Sequence, residues 1–411
     1  MEILSVILII GLLLCIVAAL GGIVLLALSK RHTTANTLGI LITTIGILGG
    51  VSSFVLLSVT DFAEDHFRFP DIFTKPQASE VIDVVPDSND PYALYPAGTY
   101  RVGKDIPAGE YCLYALNEYA TVSISENDEI DYGRIAFFTT HQFVTVTDGE
   151  YLIVEDAEFT LAEYITPFCA QPDGSYTEGG YRIGIDMPAG EYYITSEDIG
   201  TAHIVSSGNL TYEDTVYSIG VGTFIYITVR DGDYLSLERA SAIDAADAPI
   251  AAPLADGSYG VGMYRVGIDI PEGIYYITSD EESCYYEVYQ ELRDYCYFND
   301  FFENFTFVKL EAGDYFLLDR GTFRAEQDIP KIGPNGDRYD SGTYRVGVDI
   351  PAGTYRIYAD KLTDAATVGI TDEPRGSRTD YDEYEYFYGN ITVTVENGDY
   401  LEVRGASFAA E

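Results

Sequence analysis

Residues 100–111 read Tyr100-Arg101-Val102-Gly103-Lys104-Asp105-Ile106-Pro107-Ala108-Gly109-Glu110-Tyr111, and the phrase returns three times. The second copy is Tyr181-Arg182-Ile183-Gly184-Ile185-Asp186-Met187-Pro188-Ala189-Gly190-Glu191-Tyr192. The third is Tyr264-Arg265-Val266-Gly267-Ile268-Asp269-Ile270-Pro271-Glu272-Gly273-Ile274-Tyr275, and the fourth is Tyr344-Arg345-Val346-Gly347-Val348-Asp349-Ile350-Pro351-Ala352-Gly353-Thr354-Tyr355. Self-similarity at a period of about 80 residues marks tandem units, each with its own core. The alternation in Tyr-Arg-Val predicts a strand with one face turned inward. Ile-Pro-Ala-Gly predicts a tight turn, with Pro presetting φ, and the preceding Asp is placed to cap it.

A second phrase closes each unit: Asp148-Gly149-Glu150-Tyr151-Leu152, Asp231-Gly232-Asp233-Tyr234-Leu235, Ala312-Gly313-Asp314-Tyr315-Phe316 and Asn397-Gly398-Asp399-Tyr400-Leu401. Asp-Gly or Asn-Gly between strand-like runs predicts a two-residue hairpin. The distance between the two phrases is nearly constant while the residues between them vary, as in a scaffold with variable inner loops. Seven or eight short strands per unit are expected, with runs such as Ala202–Val205 and Phe224–Val229 among them. The fold class that follows is all-β: four small antiparallel sandwich or jelly-roll units. They are expected at 92–170, 171–250, 251–328 and 329–411.

The amino end differs in kind. From Ile3 to Leu28 the chain is apolar and uncharged, and a second apolar run extends from Thr37 to Val59. Each exceeds the ~20 residues that cross a hydrocarbon core. The loop Ser29–Asn36 between them is too short for anything but a turn, so residues 1–60 are expected to form a two-helix transmembrane hairpin. Its spans fall at about 3–28 and 37–59, followed by a connector at 61–91. A cleaved signal peptide fits less well, because no basic segment precedes the first run and a second span follows at once. Lys30 and Arg31 place the loop in the cytoplasm and residues 61–411 outside it. Ala18 with Gly22, and Gly46 with Gly50, have the spacing of close helix contacts, within one hairpin or between copies. No ionisable residue lies within either run, which leaves a pore without chemical support.

The formal net charge is −43, and before residue 60 only Glu2, Lys30 and Arg31 are charged. So acidic a surface excludes nucleic acid as a partner. Trp is absent, whereas Tyr numbers 36 and Phe 20. Cys112 and Cys169 fall in one unit and Cys284 and Cys296 in another, so each pair is compatible with an intradomain disulfide or with free buried thiols.

The search for chemistry finds little. His141 and His203 occupy different places in their units, and no metalloprotease, nucleophile-elbow or phosphate-loop motif appears. The expectation is therefore no enzyme, no cofactor and no metal. Arg101 and Asp105, with Arg182/Asp186, Arg265/Asp269 and Arg345/Asp349, either recognise a polar ligand or serve the fold. Their occurrence in every unit, with Pro107, Gly109, Pro188, Gly190, Pro271, Gly273, Pro351 and Gly353, favours the fold. Glu150, Asp233, Asp314 and Asp399 raise calcium, but the spacing is not that of a calcium loop and turn chemistry accounts for them. Acidic, Tyr-rich inserts at 280–286 and 380–386 offer either a contact patch or charged edge strands.

The paired phrases resemble the tandem Tyr-x-Val-Gly-x-Asp-Ile-Pro-x-Gly-x-Tyr repeats of Gram-positive bacterial cell-envelope proteins, over about residues 92–411. The resemblance implies an extracytoplasmic β-domain and carries no functional residues with it. The functional expectation is a non-catalytic surface protein, anchored in the lipid bilayer through residues 3–59, whose repeats bind a protein or glycan. The alternative is a structural or assembly subunit of an envelope complex that acts through its hairpin.

Overall fold

A computed structural model describes residues 94–279, 284–293, 296–361, 365–374 and 383–410. The expected transmembrane hairpin and the connector lie outside the described residues, as do 280–283 and 380–382 of the acidic inserts. Among the described residues no helix is long and apolar enough to cross a membrane.

The described chain is almost entirely β and repeats one plan four times. In repeat 1 the strands are β1 (Gly98–Arg101), β2 (Gly109–Ala115), β3 (Ala120–Ser125), β4 (Ile135–Phe138), β5 (His141–Val146), β6 (Tyr151–Glu155) and β7 (Ala157–Leu161). They form two antiparallel sheets, ordered β1-β6-β3-β4 and β5-β2-β7. Repeat 2 follows with β8 (Gly179–Arg182), β9 (Gly190–Thr195), β10 (Gly200–Val205), β11 (Thr215–Val221), β12 (Phe224–Val229), β13 (Tyr234–Glu238) and β14 (Ser241–Asp244). Repeat 3 has β15 (Gly262–Arg265), β16 (Gly273–Thr278), β17 (Cys284–Tyr289), β18 (Phe298–Phe302), β19 (Phe305–Leu310), β20 (Tyr315–Leu318) and β21 (Thr322–Ala325). Repeat 4 has β22 (Gly342–Arg345), β23 (Gly353–Ala359), β24 (Ala366–Thr371), β25 (Glu383–Phe387), β26 (Asn390–Val395), β27 (Tyr400–Arg404) and β28 (Ala406–Ala410). Each repeat thus pairs a four-stranded with a three-stranded sheet in the same order, a sandwich-like arrangement.

The core of each repeat lies between its sheets. In repeat 1, Tyr100, Val122, Ile124, Leu152 and Val154 from the larger sheet meet Tyr111, Leu113, Val144 and Phe159 from the smaller. Alternation along the strands puts every second side chain inward. Aromatic residues fill the middle: Tyr95 stacks on Phe159 at 5.2 Å, and Tyr100 and Tyr111 meet the same ring edge-on at 5.2 and 5.5 Å. The same trio surrounds Phe408 in repeat 4.

Both tyrosines of the opening phrase are tied to backbone four residues upstream. The Tyr111, Tyr192, Tyr275 and Tyr355 hydroxyls donate to the carbonyls of Pro107, Pro188, Pro271 and Pro351 at 2.7, 2.9, 2.6 and 2.8 Å. Tyr100, Tyr181, Tyr264 and Tyr344 do the same to Pro96, Thr177, Gly260 and Asp340. Each buries a ring in the core while its hydroxyl pins the loop that enters the strand, for about 1 kcal/mol per bond.

Two local expectations are corrected. The chain reverses at Gly103-Lys104-Asp105, one step before Ile-Pro-Ala-Gly: the Gly103 N–H donates to the Ile106 carbonyl at 2.7 Å. Asp105 does cap this loop, accepting from the Arg101 N–H at 2.9 Å. Gly103 sits at φ +83°, where a side chain would be strained and its Cβ would meet Asp148 at 2.9 Å. The Asp-Gly phrase is likewise no hairpin, because β5 and β6 belong to different sheets. It is a corner between sheets, and of its two central residues only Gly149 has a positive φ, at 96°. Glu150, Asp233, Asp314 and Asp399 fold back onto the N–H three residues upstream at 2.6–2.8 Å, which accounts for the recurring acids.

The two corners are themselves joined. Val102 donates to the Glu150 carbonyl and accepts from the Gly149 N–H, and the pattern repeats at Ile183, Val266 and Val346. The opening and closing phrases recur together because they build one hydrogen-bonded structure.

Candidate functional site

The fifth strand of one repeat packs on the first strand of the next, β5 on β8, β12 on β15 and β19 on β22. Strand register fixes which side chains meet. Residues paired with the third and fifth positions after the motif glycine point away from the core: Phe143 and His141 in repeat 1, Tyr226 and Phe224 in repeat 2, Phe307 and Phe305 in repeat 3. These rings form an outgoing face. The Arg of the following repeat lies over it, with Arg182 4.3 Å from the Phe143 ring centre, Arg265 4.5 Å from Tyr226 and Arg345 5.2 Å from Phe307.

Each of these guanidiniums also forks onto the Asp of its own phrase. Arg345 donates through Nε and Nη2 to Asp349 at 2.8 and 2.9 Å, and Arg182 and Arg265 repeat the geometry on Asp186 and Asp269. The third arm reaches across the junction. Arg182 meets Glu110 at 3.0 Å, Arg265 the Ala245 carbonyl at 2.9 Å and Arg345 the Glu326 carbonyl at 3.2 Å, while Arg345 Nη2 also donates to the Pro330 carbonyl at 3.3 Å. Asp349 is fully buried, so the pairing must be complete, since a buried charge without a partner costs several kcal/mol. The Asp349 hydrogen bonds push the Arg345 guanidinium above its ordinary value.

The closing tyrosine adds a second cross-junction bond. Tyr234 donates to Glu110 at 2.5 Å, Tyr315 to Glu191 at 2.8 Å and Tyr400 to Glu326 at 2.8 Å. At the third junction Ile274 occupies the place of Glu110 and Glu191, and the carboxylate comes instead from the 3-10 turn Glu326–Asp328. Gly179, Gly262 and Gly342, at φ +143°, +142° and +149°, begin each incoming strand directly against the ring at His141, Phe224 or Phe305. A Cβ there would lie 2.1–2.5 Å from the ring, so only glycine admits the contact.

Repeat 1 has no such neighbour on its incoming side among the described residues. Arg101 is exposed, Asp105 pairs with Lys104 at 3.3 Å, and the guanidinium lies 6.0 Å from the ring of Tyr151. The Asp105 carboxyl is held below its usual range, chiefly by the Arg101 N–H. The outgoing side of repeat 4 differs again: the ring positions hold Asn390 and Thr392, both exposed.

Among the described residues the four cysteines are not joined. Cys112 is buried on β2 opposite Phe143 and packs in the first junction with Phe143 and Ala162, while Cys169 is exposed in the following linker. Cys284 is buried on β17 and donates to the Arg320 carbonyl, and Cys296 is half-buried. Of the two readings open for each pair, free thiols are what these residues show, and strand alternation points Cys112 at the neighbouring repeat. Burial pushes the Cys112 thiol up to about 12 and Cys284 to about 11.

His141 stacks on Phe168 at 3.8 Å, and its Nε2 has no hydrogen-bond partner. Burial lowers its pKa to about 4, so it serves as a neutral ring. His203 lies across from Ser236 and Ser218 on β10, with neither hydroxyl hydrogen-bonded to it. Among the described residues no group of three or more His, Cys, Asp or Glu side chains is placed to hold a metal ion. A cleft of about 170 Å³ opens at the third junction beside Phe302, Phe305, Thr306, Thr343, Glu402 and Arg404. Its polar groups are engaged with protein: Thr306 with Thr343 at 3.0 Å, and Arg404 with Asp300 at 2.6 Å and Glu402 at 2.8 Å.

The fold and its junctions define a tandem β-repeat protein whose recurrent charged residues join neighbouring repeats. No protein-family model matches the chain, and no curated protein matches it.

Proposed function

We propose that this chain is a non-catalytic, membrane-anchored cell-surface protein that presents its four β-repeats for binding or adhesion. In this reading residues 3–59 span the bilayer, the 29–36 loop faces the cytoplasm and residues 61–411 lie outside. The observation that supports it most directly is the use of the recurrent Arg and Asp: in three of the four pairs the Asp is buried and the Arg buried or half-buried against a preceding repeat. Residues that recur are thus committed to joining units, which suits a protein that holds binding surfaces in a fixed relation. Those surfaces are sought where the repeats differ, between the third and fifth strands. Tyr212, Phe301, Tyr386 and Tyr388 are exposed there, at 86%, 65%, 54% and 66%. Exposed aromatic groups on an acidic surface suit a protein or glycan partner rather than a polyanion.

Protease shaving of intact cells, followed by binding of the full-length protein in nanodiscs to glycan and envelope-protein panels, tests the proposal. Loss of the repeats on shaving together with at least one saturable ligand is expected. Protected repeats would exclude surface display, and silence across both panels would exclude adhesion.

A further inference from the structure

The three junctions show what covers the incoming face of a repeat: an aromatic ring beneath the guanidinium, and a carboxylate on the closing tyrosine at 2.5–2.8 Å. Repeat 1 keeps the Arg, Asp and closing Tyr of that face, while Gly98 lacks the positive φ of Gly179, Gly262 and Gly342. Arg101 is present and exposed, Asp105 still caps the Arg101 N–H, Tyr151 stands in the closing position, and β1 forms the edge of its sheet. Among the described residues neither the Arg101 guanidinium nor the Tyr151 hydroxyl has a hydrogen-bond partner. Lys104, which has taken Asp105, leaves the guanidinium fork unoccupied.

We propose that the incoming face of repeat 1 is a binding socket for a partner β-domain that presents an aromatic side chain beside a carboxylate, as the outgoing faces of repeats 1–3 do. The contact would continue the interface already made three times within the chain. A second copy of this chain does not fit. Its three aromatic outgoing faces are occupied internally, and repeat 4 offers Asn390, Thr392 and Arg356, the last of which would oppose Arg101. The occupant is therefore another polypeptide. The inference concerns the repeats alone and stands whether or not residues 3–59 span a bilayer.

A gain-of-function test uses the whole chain as its own probe. The combined substitutions Thr354→Glu, Arg356→Tyr, Asn390→Phe and Thr392→Phe give repeat 4 the outgoing face of repeats 2 and 3. All four alter exposed or half-exposed positions, and unchanged thermal melting verifies the fold. Analytical ultracentrifugation of single-copy nanodiscs should find the native chain unassociated and the quadruple variant assembling head to tail with rising concentration. Adding Arg101→Glu should raise the concentration needed by about tenfold or more, since it removes a desolvated cation–ring contact and opposes the carboxylate introduced at position 354. A folded quadruple variant that stays unassociated would overturn the proposal, as would assembly indifferent to Arg101→Glu. Coverage of the socket by the chain's own residues 61–93 would appear as that first negative result.

Discussion

Arg101 and Arg345 share one phrase of sequence and have opposite fates. Arg345 is buried, forked onto Asp349, laid over Phe307 and bonded to the carbonyls of Glu326 and Pro330 in the segment that joins repeats 3 and 4. Arg101 is exposed and shares Asp105 with nothing but its own backbone and Lys104. The local loop is the same, since both Asp carboxylates accept from the Arg N–H at 2.9–3.0 Å. What differs is the neighbour. The phrase therefore has two separable tasks, closing a corner inside the repeat and gripping the repeat before it.

The hardest test of that separation removes the carboxylate. Asp349→Ala leaves Arg345 buried without its counter-charge and is expected to destabilise repeat 4 by about 3–5 kcal/mol. Asp105→Ala loses only an exposed pair and one backbone bond, about 1 kcal/mol. Hydrogen exchange of β22 and β1 amides measures both, and equal losses would break the comparison.

Acid should loosen the first junction through His141, which stands where the others have Phe224 and Phe305. The folded protein binds a proton there only near pH 4, whereas the unfolded chain does so near its ordinary 6.5. Stability from this site is therefore complete above pH 6.5, falls as pH drops towards 4 and levels off below. The total is about 3 kcal/mol at 1.36 kcal/mol per unit. Comparing the native chain with His141→Phe across that window isolates the effect, which the variant should abolish.

Gly262→Ala places a methyl group against Phe224 at an unfavourable φ, and about 2 kcal/mol of destabilisation is expected. Gly98 has no positive φ and faces no preceding ring, so Gly98→Ala should cost under about 1 kcal/mol. Thermal denaturation of the two variants ranks them. The smallest effect belongs to the closing tyrosines: Tyr315→Phe should cost about 1 kcal/mol by removing the bond to Glu191, and Tyr151→Phe should cost nothing measurable.

The repeats, their all-β character and their strand number were legible because turn residues and alternation are local signals. The roles of Asp105, Asp314 and their equivalents were legible for the same reason, since their partners lie three or four residues away. Whether Asp148-Gly149 closed a hairpin or a corner was not, because that depends on whether β5 and β6 pair, and the two runs look alike in either case. The true partners of Arg182 were hidden too: Glu110 lies 72 residues away in another repeat. A signal for the outgoing face did exist. His141-x-Phe143, Phe224-x-Tyr226 and Phe305-x-Phe307 precede their closing phrases at similar offsets, and Asn390-x-Thr392 breaks the series. The even cysteine counts left disulfides and free thiols equally open, since nothing local shows that Cys112 faces the next repeat.

Joints made of interlocked rings and forked ion pairs have a consequence for avidity. The variable segment between the third and fourth strands starts from the same sheet position in every repeat, after Ser125, Val205, Tyr289 and Thr371. Slack linkers would let four such segments sample many separations, diluting the effective concentration of each for the next site on a ligand. Fixed joints hold them to one spacing. A polymeric ligand whose epitopes match that spacing gains at every further contact, while one out of step gains from a single contact only. The junctions would then act as a ruler, selecting ligands by period as well as by chemistry.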